Sequence, residues 1–239
     1  MKINVIGDIA GNGNTLERLL DKMPKQETIL LGDLNDRGPN TKKVYEIAMN
    51  NPNVKTVASN HGHLMVDAYR GNEYYDEGIW LLNGGGFTLK SFLPDRAKKI
   101  KKLTNTYLSL YSGFNITLYR NLVKELPEEI IEFEESLPKY ILKDKTLFTH
   151  APLHPAMTLE EALDEGTHAS GDKCETSILW NIKQPIQRKE YDLQVFGHTK
   201  FITPEQYEDW GLCMDTTEGK YLYGYDMDEK KYYKEEVME

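Results

Sequence analysis

Five times in this chain a short apolar run breaks into side chains that can hold a metal or a phosphate. Ile3–Ile6 leads into Gly7-Asp8-Ile9-Ala10-Gly11-Asn12, and Thr28–Leu31 into Gly32-Asp33-Leu34-Asn35-Asp36-Arg37-Gly38. Val54–Val57 leads into Ser59-Asn60-His61, Thr146–Phe148 into Thr149-His150-Ala151, and Leu193–Phe196 into Gly197-His198-Thr199. Short β-rich runs of this kind predict buried strands. Between the first three, Leu16, Leu19 and Leu20 fall at helical spacing within Thr15–Met23 before Pro24, and Pro39 opens a second helix through Met49. The order β-α-β-α-β predicts a largely parallel sheet with right-handed crossovers. Ligands of such sheets collect at the carboxyl ends of the strands. One Gly-Asp after a strand is most often a turn, and one histidine after an apolar strand is most often a buried side chain with a hydrogen-bond partner. Five such clusters, each at a strand's carboxyl end, are hard to ascribe to turns and packing alone.

The middle of the chain, about residues 62–137, reads as mostly helical. Its Lys98–Lys102 and Glu125–Glu135 charge clusters fit solvated helix faces. Strands return at Tyr140–Leu142, Thr146–Phe148, Leu193–Phe196, Leu212–Asp215 and Tyr221–Tyr225, with Lys143-Asp144-Lys145 as a tight turn. No repeat and no Ser- or Pro-rich linker divides the sequence, so residues 1–239 are expected to form a single domain, with the tail from Asp226 as an edge strand.

With 29 basic and 38 acidic residues, the net charge is −9. That balance argues against a partner such as long DNA or RNA, which requires a basic face to replace counterions. It leaves room for a small phosphorylated substrate, because a locally cationic site can sit on an acidic protein. Two cysteines, Cys174 and Cys213, are too few for a disulfide scaffold or a four-cysteine zinc site. The apolar run before Gly7 is too short for a signal peptide, and no segment approaches a membrane span. A cytoplasmic protein without a membrane partner is expected.

The glycines after the first strand raise a rival. Gly7-x-x-x-Gly11-x-Gly13 is similar to a dinucleotide-binding turn, nearest the short-chain dehydrogenase spacing. The Tyr-x-x-x-Lys pair of that chemistry is absent from the sequence, as is a phosphate-cradling Gly-x-x-x-x-Gly-Lys loop.

Read in order, Gly7–Gly11, Gly32–Gly38, Ser59–Gly62, His150-Ala151 and Gly197–Thr199 resemble the motifs of the calcineurin-like metallophosphoesterases. The branch they are most similar to is that of the phosphoprotein phosphatases, with bacterial and phage Ser/Thr phosphatases and symmetrical diadenosine tetraphosphate hydrolases among its members. Trp80…Asn83-Gly84-Gly85, Leu137-Pro138, Leu179-Trp180-Asn181 and Met214-Asp215-Thr216 add weaker matches, so the resemblance spans about residues 3–226. It implies an α/β fold of two facing mixed β-sheets flanked by helices. It also implies a binuclear site for divalent metals, manganese first and iron, zinc or nickel as alternatives. Asp33 would bridge the pair. One metal would also take Asn60, His150 and His198, and the other Asp8 and a histidine at position 10. Asp36 would pair with His61, which would protonate the leaving alkoxide, and Arg37 would grip phosphate oxygens. Elementary chemistry agrees, because two cations lower a water's pKa and clamp the phosphate. A neighbouring carboxylate keeps an imidazole oriented and protonated, and a guanidinium matches phosphate bidentately.

The departures are as informative. Position 10 is Ala, whose methyl binds no metal, so the resemblance implies one firm metal site and one weak or empty one. An introduced His→Ala change, a natural site completed by water or another side chain, and a degenerate phosphate-binding protein all remain open. Gly62 stands where the family has Glu, Ala58 where it usually has Arg, and Ile182 where a second phosphate-gripping Arg is usual; Lys183 or Arg188 could replace the last. His63, His154 and His168 match no motif and read as surface or packing residues. Tyr69, Tyr74 and Tyr75 lie in the stretch where relatives build a substrate groove, and Asp215 reads as a structural hydrogen-bonding residue. The expected activity is metal-dependent hydrolysis of a phosphate monoester, Ser/Thr-phosphatase-like, on a phosphoprotein. Alternatives are a dinucleoside polyphosphate hydrolase acting on nucleotides, a nucleic-acid end phosphatase, and a non-catalytic phosphate-binding module.

Overall fold

A computed structural model describes residues 1–72, 78–108, 114–163 and 176–237. Tyr74, Tyr75, His168 and Cys174 lie outside the described residues. The chain opens with β1 (Ile3–Ile6), α1 (Gly13–Lys22), β2 (Glu27–Leu30), α2 (Thr41–Asn50) and β3 (Val54–Thr56). A helical stretch follows: α3 (Asn60–Arg70), α4 (Ile79–Leu82), α5 (Gly85–Phe92), α6 (Ala97–Leu108), α7 (Ile116–Lys124) and α8 (Glu128–Ser136). The remainder comprises β4 (Tyr140–Lys143), β5 (Thr146–Thr149), α9 (Leu159–Ala162), β6 (Leu193–Phe196), β7 (Glu205–Tyr207), β8 (Gly211–Cys213), β9 (Tyr221–Asp226) and β10 (Lys231–Glu236).

The strands form two mixed five-stranded sheets, ordered β10-β9-β1-β2-β3 and β4-β5-β6-β8-β7. In the first, β1, β2 and β3 run parallel and the β9–β10 hairpin adds antiparallel to β1. In the second, β5, β6 and β8 run parallel between antiparallel edges. Period-2 alternation explains how the layers stack. Ile3, Val5, Ile29 and Leu31 face the other sheet and meet Phe148, Val195, Leu212 and Met214. Ile6 and Leu30 face the opposite way, into the core made with the helices, beside Leu16, Leu19, Val44 and Trp80. The expected α/β architecture of two mixed sheets flanked by helices is therefore the one observed. Among the described residues no helix is long and apolar enough to cross a membrane.

Local chemistry explains where the elements end. Asp144 and Lys145 both take positive φ, 44° and 61°, which makes a two-residue hairpin turn whose twist matches its strands. The second helix starts at Thr41 rather than Pro39, because the Asn40 backbone, at φ −123°, is not yet helical. Asn60 and His61 form the first turn of α3, not a loop, and the Ser59 side chain caps that turn by accepting from the Gly62 N–H at 3.3 Å. The short edge strand β7 carries Glu205, Gln206 and Tyr207 with no apolar alternation to mark it.

Candidate metal and phosphate site

All five polar clusters meet at the carboxyl ends of β1, β2, β3, β5 and β6, in the seam between the sheets. Two glycines allow the approach. A Cβ at Gly7 would lie 2.0 Å from the Met214 carbonyl oxygen, and one at Gly32, where φ is +93°, would lie 2.6 Å from the Ser59 Cβ. Asp33 follows at φ 46°, and Asp36, Arg37 and His198 also adopt left-handed backbone. Such conformations cost energy in non-glycine residues and cluster at functional sites.

His150 lies at the centre and is fully buried. Its Nδ1 is 2.8 Å from the Leu31 carbonyl oxygen, which can only accept, so Nδ1 carries the hydrogen. In the neutral ring Nε2 then presents a lone pair, 2.7 Å from Asn60 Oδ1, 3.2 Å from His198 Nδ1 and 3.4 Å from Asp33 Oδ1. Burial, then His150, pushes His198 down to about 3, so that ring stays neutral. Acceptor atoms facing one another in a buried space repel unless a cation lies among them. Asp8, Asp33 and His150 offer ligand atoms that all lie within 4.8 Å of one another. Asp8 strengthens the case. Its Oδ1 accepts from the His198 N–H at 3.1 Å, but its buried Oδ2 has no partner. Burial, followed by the charges of Asp215 and Asp33, holds the Asp8 carboxyl well above the usual carboxylate range. Asp33 goes the other way: the charges around it, His61 first, outweigh the effect of burial and keep it ionised. The donor set and the orphaned oxygen fit a divalent cation.

On the other flank, His61 Nδ1 sits 2.6 Å from Asp36 Oδ2. Asp36 is fully buried and held from several sides. Trp80 Nε1 donates to both of its oxygens at 3.1 Å, the Thr88 hydroxyl donates to Oδ1 at 2.8 Å, and Asn35 Nδ2 lies 3.3 Å from Oδ1. Burial raises Asp36, opposed by His61 and Thr88. Burial lowers His61, but Asp33 and Asp36 outweigh it and raise the ring above its ordinary value. Arg37 Nη2 stands 2.8 Å from His61 Nε2. A guanidinium only donates, so Nε2 accepts there while Nδ1–H donates to Asp36.

Position 10 contributes backbone rather than side chain. The Ala10 N–H donates to the Asp33 carbonyl at 2.7 Å, and the Gly38 N–H donates to the Ala10 carbonyl at 2.8 Å, which stitches the first two loops together. Ile182 is 67% exposed, and Arg188 donates to the His154 and Pro155 carbonyls at 2.6 and 3.3 Å. Arg188 is thus committed away from the cleft. His63 pairs with Asp67 at 3.2 Å along α3, and His154 Nδ1 accepts from the Ala156 N–H at 3.2 Å.

Sequence reasoning missed Thr88, and quoted Trp80 without a role; both hold Asp36 from helices some fifty residues downstream. It also missed Glu134. This buried carboxylate of α8 accepts from the Tyr45 hydroxyl at 2.5 Å and fills the space beside Gly62, where a Cβ would lie 2.2 Å from Glu134 Oε2. A glycine at an expected glutamate was the available signal, but it did not say from where a carboxylate would return.

A family model of calcineurin-like phosphoesterases matches residues 1–200. No curated protein matches the sequence. Among solved structures, a candidate diadenosine tetraphosphatase superposes with a TM-score of 0.58 at 17% identity, covering 99% of this chain and 94% of that one. A cold-active protein-tyrosine phosphatase from a psychrophilic Shewanella species gives 0.57 at 14% identity, with 99% and 80% covered. A protein serine/threonine phosphatase from Saccharomyces cerevisiae gives 0.55 at 14%, with 100% and 81% covered. At these identities the likeness is one of fold.

Proposed function

The chain belongs to the calcineurin-like phosphoesterase family, and from that premise we propose that it is a metal-dependent phosphatase acting on phosphate monoesters in the manner of Ser/Thr protein phosphatases. The observation that supports it most is the convergence of Asp33, Asn60, His150 and His198 beside the Asp36–His61–Arg37 group. Asp33, Asn60, His150 and His198 would hold one divalent ion, manganese by preference, and Asp8 and Asp33 a second. Bound there, the ions would activate a water and neutralise charge on the phosphoryl oxygens. Arg37, already at the His61 Nε2, would swing onto the phosphate and bind two of its oxygens. His61 Nε2, no longer accepting from Arg37, would then take up a proton from solvent and give it to the leaving alkoxide. Asp36 would hold the ring in orientation and favour its charged form. The buried seam would exclude bulk water and strengthen each of these interactions.

Asp33→Asn and His150→Ala are expected to remove bound manganese and hydrolysis of an aryl phosphate together. Metal content and turnover that survive both changes would sink the site assignment. A second reading, hydrolysis of a dinucleoside polyphosphate, is supported by the near full-length match to the candidate diadenosine tetraphosphatase. Phosphopeptide, diadenosine tetraphosphate and 3′-phosphorylated oligonucleotide, assayed side by side, separate these readings. Ala10→His decides whether the chain is a weakened enzyme: large recovery of turnover favours that account, and none favours a phosphate-binding module.

A further inference from the structure

A cavity of about 270 Å³ lies against the first turn of α3, with Ser59, Gly62 and Glu134 in its wall. Ala58 and Gly62 offer it only a methyl and a hydrogen, which leaves it open. Glu134 reaches it from α8. This residue is 6% exposed, and a Cβ on Gly62 would lie 2.2 Å from its Oε2. The Tyr45 hydroxyl donates to Oε1 at 2.5 Å, and no other described residue donates to the carboxylate. The other charged groups around the cavity are engaged elsewhere. His63 pairs with Asp67 at 3.2 Å, Arg70 holds Glu135 through two nitrogens at 2.9 and 2.8 Å, and Lys139 Nζ donates to the Leu163 carbonyl at 2.8 Å. A carboxylate buried without a paired charge is costly. Burial, then the charges of Asp33 and Asp36, raises this one to about 7. Val66, Leu137 and Leu179 make an apolar wall beside it.

We propose that this cavity is a second ligand site, which takes a primary ammonium group on a short alkyl stem. The ammonium donates to Glu134 Oε2 and to the Ser59 hydroxyl oxygen, which accepts from the Gly62 N–H at 3.3 Å and keeps a further lone pair. The stem lies along Val66, Leu137 and Leu179. An ammonium suits the place better than a guanidinium. Tyr45 already occupies Oε1, whereas a guanidinium fork matches two free oxygens. One carboxylate is also too few ligands for a divalent metal. At about 30 Å³ for a water-sized group, the cavity has room for a four-carbon amine. The site makes no use of the metal-dependent reading and stands or falls without it. Its occupant lies against the turn that carries Asn60 and His61.

The test is a ligand-observed NMR titration of the full chain at pH 8, where the Glu134 carboxyl is ionised. The probes are n-butylammonium, neutral n-butanol and Nα-acetyllysine amide. The unaltered chain is expected to bind n-butylammonium saturably, and n-butanol about tenfold more weakly or worse, as loss of a charge-assisted hydrogen bond implies. Glu134→Gln keeps an acceptor for Tyr45 and removes the charge. It is expected to weaken n-butylammonium by about tenfold or more and to leave n-butanol unchanged. Ala58→Leu fills the cavity and is expected to abolish saturation with Glu134 intact. Binding of Nα-acetyllysine amide as well supports a lysine side chain as the source of the ammonium, and binding of n-butylammonium alone supports a free amine. No saturable binding to the unaltered chain, equal affinity for n-butanol, or an affinity unmoved in either variant overturns the proposal. If Glu134→Gln does not fold, Ala58→Leu decides.

Discussion

Asp36 shows how much one buried carboxylate needs around it. An ionised group removed from water must be repaid by hydrogen bonds or a paired charge. Here Trp80, Thr88, Asn35 and His61 supply them at 2.6 to 3.3 Å. The result is a carboxyl group held from several sides next to the ring it orients, with burial raising it and His61 and Thr88 opposing that rise. Thr88→Val would keep the shape and remove one of those donors. It also takes the acceptor from the Asp36 N–H, which donates to the Thr88 hydroxyl at 2.8 Å, so it is expected to cost about 1–3 kcal/mol of stability, the usual penalty for an unsatisfied buried group, and to lower kcat while manganese content holds. An unchanged kcat in the folded variant would show that Thr88 does not act through Asp36. The other buried carboxylates obey the same physics with different outcomes. Asp33, beside His61 and Arg37, is held ionised, while burial, then the charges of Asp215 and Asp33, pushes Asp8 the other way.

Helix α3 is where elements, rather than single side chains, set the site. Its first turn presents Asn60 and His61 in opposite directions, one toward His150 and the other toward Asp36. Helix α8 packs behind that turn and sends Glu134 into the space that Gly62 leaves open. Burial, then the charges of Asp33 and Asp36, raises Glu134 from its ordinary 4.5 to about 7, against the hydrogen bond from Tyr45. The native protein therefore binds the Glu134 proton more tightly than the unfolded chain does. Stability from this group is full below about pH 4.5 and is lost as pH rises to about 7, by roughly 3 kcal/mol in all. Glu134→Gln is expected to abolish that slope, so that melting temperatures of the two proteins, followed from pH 4.5 to 8, diverge with the variant higher at the top. Parallel profiles would mean that Glu134 is not the titrating group. Gly62→Ala is expected to destabilise by about 1–3 kcal/mol, the usual cost of overpacking, and Glu134→Ala in the same chain should relieve most of it.

Taken over the entire chain, the centre exists because two sheets are pressed together. Asp8, Asp33 and Asn60 leave one sheet, and His150 and His198 leave the other. The apolar layer of Ile3, Val5, Ile29, Leu31, Phe148, Val195, Leu212 and Met214 lies between them. Phe148→Ala is expected to cost about 3–5 kcal/mol in urea unfolding, the range for large-to-small core changes. It is also expected to weaken manganese binding. A destabilised protein with undiminished metal affinity would separate the core from the centre. What the sequence by itself determined is what depends on neighbours along the chain. That includes the β1–α1–β2–α2–β3 order, the Asp144-Lys145 turn, the tight glycines at 7 and 32, and the residues that five strand ends would bring forward. Alternation and backbone sterics act over a few residues and can be read from a few residues. The tertiary structure alone decided which of those side chains meet and what lies behind them. It placed Thr88 and Trp80 around Asp36, filled the gap at Gly62 from α8, and turned Arg188 away from the cleft. Those contacts join residues as much as 89 positions apart, as between Tyr45 and Glu134. They follow from how helices and sheets dock to bury their apolar faces, and no local pattern encodes that.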